Sequence, residues 1–387
     1  MRYLTATRAG GLRHVALAAA ALTALSACAT AVTACAQNTA TRAPTTPADR
    51  SQANTPVRAG GPFEAASSRS TGLYRVIRSI QFPAQAEPYE LVSASSSALY
   101  LIGGFFEATT HGHPDNLLRV RLQPFAITTG TFVSGLFASG ANDAAFGLGA
   151  LWAAAGDLVR MDPTKLTVTA RFSLPEPALL VTVAAGKLWV ATATSLLKVD
   201  PATGTVQHAQ PLRFLPYAMA ASPDGRTLYV LGDKQHTAAP AAVLSSFNAA
   251  TGALLGERTI GPASTGPIAT TDNGAWVPVT ELSAVKPTAT IKLYQAPALA
   301  LRAQIADQGA AVVPYLADHV LWLIDGSGAS NTKCASVKTG YIYATGKPVS
   351  LSLNGAMLSV SGRAFLLGQA NRTATLAEIS ATSSCVS

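Results

Sequence analysis

One stretch, residues 183–206, constrains the fold more than any other, because weaker copies of it recur along the chain. It reads as a short strand, a tight turn at Gly186, a strand through Leu188 and Trp189, a brief loop, a strand from Leu196 to Val199 and a turn from Asp200 to Gly204. Each strand is rich in Val, Leu and Trp and is bounded by Gly, Pro, Asp or Thr, as short, tightly turned strands require. The copies align on an aromatic residue in the second strand. They are Ser97-Ala98-Leu99-Tyr100, Gly149-Ala150-Leu151-Trp152, Gly186-Lys187-Leu188-Trp189, Arg226-Thr227-Leu228-Tyr229, Asn273-Gly274-Ala275-Trp276, His319-Val320-Leu321-Trp322 and Gly362-Arg363-Ala364-Phe365. Successive aromatics lie 52, 37, 40, 47, 46 and 43 residues apart.

A period of about 40 to 50 residues with four short strands per unit is that of a β-propeller blade. Seven aromatics therefore predict an all-β, seven-bladed β-propeller, with six or eight blades left open by the weakest copies. Residues 73–82 form one isolated strand before the first full unit. We read it as the outer strand of the last blade, closing the ring and removing an open sheet edge. The turn after the third strand repeats as Asp162-Pro163-Thr164, Asp200-Pro201-Ala202-Thr203-Gly204, Asn248-Ala249-Ala250-Thr251-Gly252 and Ser336-Val337-Lys338-Thr339-Gly340. A side-chain oxygen bonding its own backbone, followed by Pro and a Gly with positive φ, makes a tight reversal, so these Asp residues are expected to be structural.

At 387 residues the chain has room for two average domains, but repeat folds reach this size as one unit. Its front end is different in kind. Arg2, Arg8 and Arg13 precede an apolar run over residues 15–25, too short to span a bilayer and typical of a signal peptide. The run ends in Leu25-Ser26-Ala27-Cys28, which resembles the bacterial lipobox, and Val32-Thr33-Ala34-Cys35 is a second match. The resemblance implies a lipid on Cys28, with Cys35 as the alternative site and cleavage just before the modified residue. An ordinary secretory cleavage with both thiols incidental is the competing reading. The chain thus divides into a lipoprotein signal peptide (1–27), a flexible Ala/Thr/Pro/Ser tether (28–70) and the propeller (71–387).

Removing the leader's three Arg lowers the formal net charge from +8 to +5. No Lys/Arg cluster remains, which argues against nucleic-acid binding. An Ala-rich chain with 19 Arg against 9 Lys suggests a GC-rich bacterial source. With the leader, this places the domain outside the cytoplasmic membrane, lipid-anchored and monomeric. In an exported protein Cys334 and Cys385 are expected to pair.

Ser222-Pro223-Asp224-Gly225-Arg226-Thr227-Leu228-Tyr229-Val230 resembles the hairpin of the YVTN-type propeller repeat. Lys198-Val199-Asp200-Pro201-Ala202-Thr203-Gly204 is similar to that family and to quinoprotein-like propellers. Quinoprotein dehydrogenases carry a Trp shortly after each such Thr-Gly turn. Thr205 and Ala253 stand there in this chain, which argues against a pyrroloquinoline quinone site.

Propeller geometry sorts the loops. With strands A to D running outward, the D–A and B–C loops share one face (here the loop face), and the A–B and C–D turns share the other (the turn face). Prolines before the inner strands make Glu87, Tyr89, Glu176, Arg213 and Tyr217 candidates for ligand binding at the channel mouth, with ordinary polar loop residues as the plainer reading. The B–C loops are long at residues 103–115, 232–242, 279–288 and 325–333 and nearly absent in blades two and three, giving an asymmetric rim suited to binding. His111, His113 and Asp115 in the first long loop are a candidate divalent-metal set, set against a plain solvated loop. No nucleophile elbow, phosphate loop or His-Glu-x-x-His motif occurs.

These features lead to a non-enzymatic binding or scaffold module with no cofactor, whose partner is an envelope protein, a glycan or a small ligand. The competing expectation is a metal-dependent enzyme similar to streptogramin-lyase-like or lactonase-like propellers, working at the channel mouth.

Overall fold

The computed structural model describes residues 73–385, apart from residues 83–86, 105–114, 130–142, 235–240, 265, 273, 282–287, 310–311, 326–331, 347–356 and 371–372, and for some flanking strand residues it describes the backbone alone. The leader and tether, with Cys28 and Cys35, lie outside the described residues.

Seven four-stranded antiparallel sheets form a ring. Each inner strand touches the inner strand of the next blade all the way round, and blade seven returns to blade one. Blade three shows the repeat at its plainest. Its strands are Leu180–Ala184, Lys187–Ala191, Ser195–Val199 and Val206–Pro211, with Thr182, Trp189, Lys198 and His208 in line across the sheet. The turn after its third strand is built as the sequence implies. The Asp200 carboxylate accepts the backbone N–H groups of Ala202 and Thr203 at 2.8 and 2.9 Å, and Gly204 takes a φ of 74°. Asp162, Asn248 and Ser336 make the same pair of bonds in blades two, four and six. These N–H donors hold the Asp162 and Asp200 carboxyls below their usual value. Blades one and five turn instead through cis Gln123–Pro124 and Ala296–Pro297.

The core is not one mass but seven apolar clusters, each wedged between successive blades. The repeat aromatics are central to them: Tyr100, Trp152, Trp189, Tyr229, Trp276, Trp322 and Phe365 are all essentially inaccessible. Three of them also tie neighbours together. Tyr100, Trp189 and Trp276 donate to the carbonyls of Pro163, Ala249 and Val337 in the C–D turn of the following blade, at 3.2, 3.0 and 2.9 Å. In these three an aromatic with a polar tip fills the wedge and also satisfies its own donor.

Blade seven is assembled from both chain ends. Met357–Val360, Arg363–Ala370 and Thr373–Ala381 supply three strands, and Tyr74–Gln81 supplies the outer one, paired from Tyr74↔Ala381 to Gln81↔Thr375. No turn joins its last two strands; charge and covalent chemistry take that place. Glu378, buried on the third strand, accepts two bonds from Arg363 at 2.7 and 2.6 Å and one from Arg78 at 2.5 Å. Arg78 also donates to the Leu122 carbonyl of blade one at 2.9 Å and lies over the Phe125 ring. The Cys334–Cys385 bond, with Cα atoms 5.7 Å apart, fastens the C-terminal turn to blade six.

Candidate functional site

The inner strands surround a channel of about 1340 Å³, walled mainly by blades two to seven. Strand direction sets its two ends. Asp143, Leu180 and Tyr217 stand towards the loop face, and Asp272, Asp318, His319 and Lys338 stand on the turn face. The A–B and C–D turns of the turn face thus line one end of the cavity.

An inner strand is an edge strand, so its channel-side backbone groups need partners. Side chains from the neighbouring blade provide them. Ser93 accepts the Phe146 N–H at 2.7 Å, Thr270 donates to the Ala221 carbonyl at 2.7 Å, and Asp143 accepts the Val181 N–H at 2.9 Å. Asp143 differs from the other two because it brings a charge. By surface area it is only partly enclosed, since some of it faces the channel. It still lies so deep in the ring that burial raises its pKa to about 7, against the lowering effect of the Val181 and Ala144 N–H groups. Among the described residues no salt bridge reaches it.

A second polar cluster sits between blades four and five. Among the described residues the Tyr217 hydroxyl is buried without a hydrogen-bond partner, as is Oδ1 of Asp233. Burial raises both pKa values, and the Asp233 charge raises that of Tyr217 further. Ser264, close to Tyr217, gives its proton to the Pro278 carbonyl.

Of the channel-mouth candidates, Tyr217 lines the cavity. Glu176 belongs to the rim: it accepts the Thr194 hydroxyl and, at 3.2 Å, the Thr194 N–H, pinning its D–A loop to the short B–C turn of blade three. Those bonds, together with the Thr192 hydroxyl, hold its carboxyl below the usual value. Arg213 is exposed on the same rim. The backbones of Glu87 and Tyr89 lie in the inner strand of blade one, and the structure does not describe their side chains. His111 and His113 lie outside the described residues, and Asp115 is described by backbone only. Among the described residues no three His, Cys, Asp or Glu side chains are grouped to share a metal ion. The central parts of the four long B–C loops also fall outside the described residues, so the asymmetric rim is defined by sequence alone.

Sequence reasoning missed Asp143. A signal was present: it is the only ionisable residue between Arg121 and Asp157, and it stands at the head of an inner strand.

No protein-family model matches the chain, and no curated protein matches it. Solved structures do. The chain is similar to hydrazine synthase from Kuenenia stuttgartiensis at 12% identity, covering 84% of this chain and 99% of that one with a TM-score of 0.52. The WD40 domain of Toxoplasma gondii coronin matches at 11% identity over 80% and 88% of the two chains, TM-score 0.54. The WD40 domain of Neurospora crassa Pan2 matches at 8% identity over 79% and 95%, TM-score 0.55. At these identities the likeness establishes the propeller fold and nothing finer.

Proposed function

We propose that this chain is an exported lipoprotein, anchored through Cys28 and held on a tether so that its propeller binds a protein, glycan or small ligand outside the cytoplasmic membrane without chemical turnover. The observation that carries the reading is the Cys334–Cys385 bond, because structural disulfides belong to oxidising compartments. The leader and lipobox-like residues 25–28 agree with it. The binding half of the proposal is supported by the channel, whose wall combines apolar inner-strand side chains with a few polar groups.

We place the repeats nearest the YVTN type on the hairpin of blade four. There Ser222 donates to Asp224 at 2.5 Å, the Asp224 carboxylate accepts the Arg226 N–H at 3.0 Å, and Gly225 has a φ of 69°. This hairpin uses the Ser, Asp and Gly of that motif for local geometry.

The test is expression of the full chain in a bacterium that processes lipoproteins, followed by intact mass measurement and fractionation. The wild type should carry a diacylglyceryl-type mass on its new N-terminus and remain with membranes. Cys28→Ser should lose the mass and become soluble. Retention of the lipid in Cys28→Ser and its loss in Cys35→Ser would move the site to Cys35. An unlipidated, freely soluble wild type would end the anchor reading.

A further inference from the structure

We propose that the loop-face end of the channel is a subsite for an organic cation, an amine or quaternary ammonium group on an apolar body, held by Asp143. This inference rests on the reading of the channel as a binding cavity and gives that cavity a ligand class.

Three observations converge. Asp143 lines the cavity, and its carboxylate is held within the ring by backbone N–H groups, with Val181 donating to Oδ2 at 2.9 Å. The cavity it faces is partly apolar, with Leu180, Ala218, Met219 and Ile268 among the lining residues. Among the described residues no salt bridge reaches this carboxylate, and burying it without one is costly, which is the direction of its raised pKa. An entering ammonium would supply the missing charge where the low dielectric makes the attraction stronger than in water.

The residues also decide against other occupants. A divalent ion needs several oxygen ligands, and among the described residues Asp143 belongs to no group of three His, Cys, Asp or Glu side chains that could share one. An anion would meet a like charge there. The cations lining the cavity, Arg302 and Lys338, stand at the turn-face end, where Arg302 donates to Gln295. A neutral apolar molecule would fill the volume but leave the carboxylate unpaired. The sequence around the site fits the same conclusion, because residues 122–156 contain no basic side chain to serve as a built-in partner.

The experiment is calorimetric titration of the full chain in non-ionic detergent with three probes sharing one body: hexylammonium, hexanol and hexanoate. Hexylammonium should bind saturably at one site, with hexanol and hexanoate at least tenfold weaker. Asp143→Asn keeps an oxygen for the Val181 N–H, so the ring tie survives, and it should weaken hexylammonium at least tenfold while leaving hexanol unchanged. Leu180→Lys supplies an ammonium beside the site and should abolish hexylammonium binding, an independent check should Asp143→Asn fail to fold. Undiminished hexylammonium binding in either folded variant overturns the proposal. Equal binding of hexanol or hexanoate also overturns the cation subsite but leaves a binding channel. If none of the three probes binds, both the subsite and the reading of the channel as a binding cavity fall.

Discussion

Blade three and blade seven have the same four-stranded shape and reach it by opposite means. Blade three is one unbroken stretch whose strands are joined by turns of a few residues, with a side chain such as Asp200 satisfying the backbone at the reversal. Blade seven unites residues about 300 positions apart, has no such turn, and uses an Arg78–Glu378–Arg363 cluster and a nearby cystine instead. Where sequence is local, turn geometry suffices. Where the ring must be closed between chain ends, the entropy of bringing them together has to be offset by stronger and more specific contacts.

Four experiments bear on that contrast, in order of expected effect. Deleting residues 71–82 removes the outer strand of blade seven and exposes the edge at Glu378, so the domain should lose its cooperative thermal transition by circular dichroism. A deletion variant that still melts sharply at the wild-type temperature would show that closure does not depend on this strand. Next, Cys334→Ser with Cys385→Ser, or treatment with reductant, should cost about 2–5 kcal/mol in denaturant unfolding, in the range for loss of a native disulfide. No shift in midpoint would mean that the ring holds without the staple.

Glu378→Gln comes third. It leaves two guanidinium groups facing each other, but their side chains are 33% and 29% exposed, so solvent screening reduces the cost to about 1–2 kcal/mol. The same residue predicts a pH effect. Bonds from Arg363, then Arg78, lower its folded pKa below the ordinary 4.5. Its contribution is therefore complete above that ordinary value and is lost as pH falls through the folded one. The wild type should lose stability in acid more steeply than Glu378→Gln; parallel acid limbs would remove the cluster from the account.

The smallest effect, that of Gly186→Ala set against its clashing counterpart Gly204→Ala, tests blade three. Gly186→Ala meets open space and should cost about 1–2 kcal/mol for its positive φ alone. Gly204→Ala has the same conformational problem, and its methyl would also run into the Phe172 ring, so its cost should be clearly larger. Equal melting temperatures for the two variants would show that the turn can shift to accommodate the methyl.

The contrast also explains what could be read from the chain. Trp152, Trp189, Trp276 and their equivalents repeat because every wedge between blades needs one large side chain, so blade number and strand order follow from spacing. The closing strand was legible as a leftover piece with nothing else to pair with, and the cystine as two late cysteines. The Glu378 cluster was not, since nothing near residue 378 points to Arg78. The channel was harder still. Its wall draws residues from six blades, so Asp143 and Tyr217 share a cavity without sharing any local pattern. Glu176, which its neighbouring proline pointed to, is bonded to Thr194, a contact between two loops that spacing along the chain does not encode.

The closing strand has a mechanical consequence. It begins at the turn face, where Tyr74 pairs with Ala381, and runs antiparallel to its partner as far as Gln81. A pull on the segment before Tyr74, directed away from that face, drags the strand lengthwise past its neighbour. The cross-strand hydrogen bonds then bear the load together in shear, rather than opening one at a time like a zip. The Cys334–Cys385 bond keeps the partner strand's end fastened to blade six, so it does not follow the strand that is pulled. A ring closed in this way resists tension along its axis at the one joint where the chain's two ends meet.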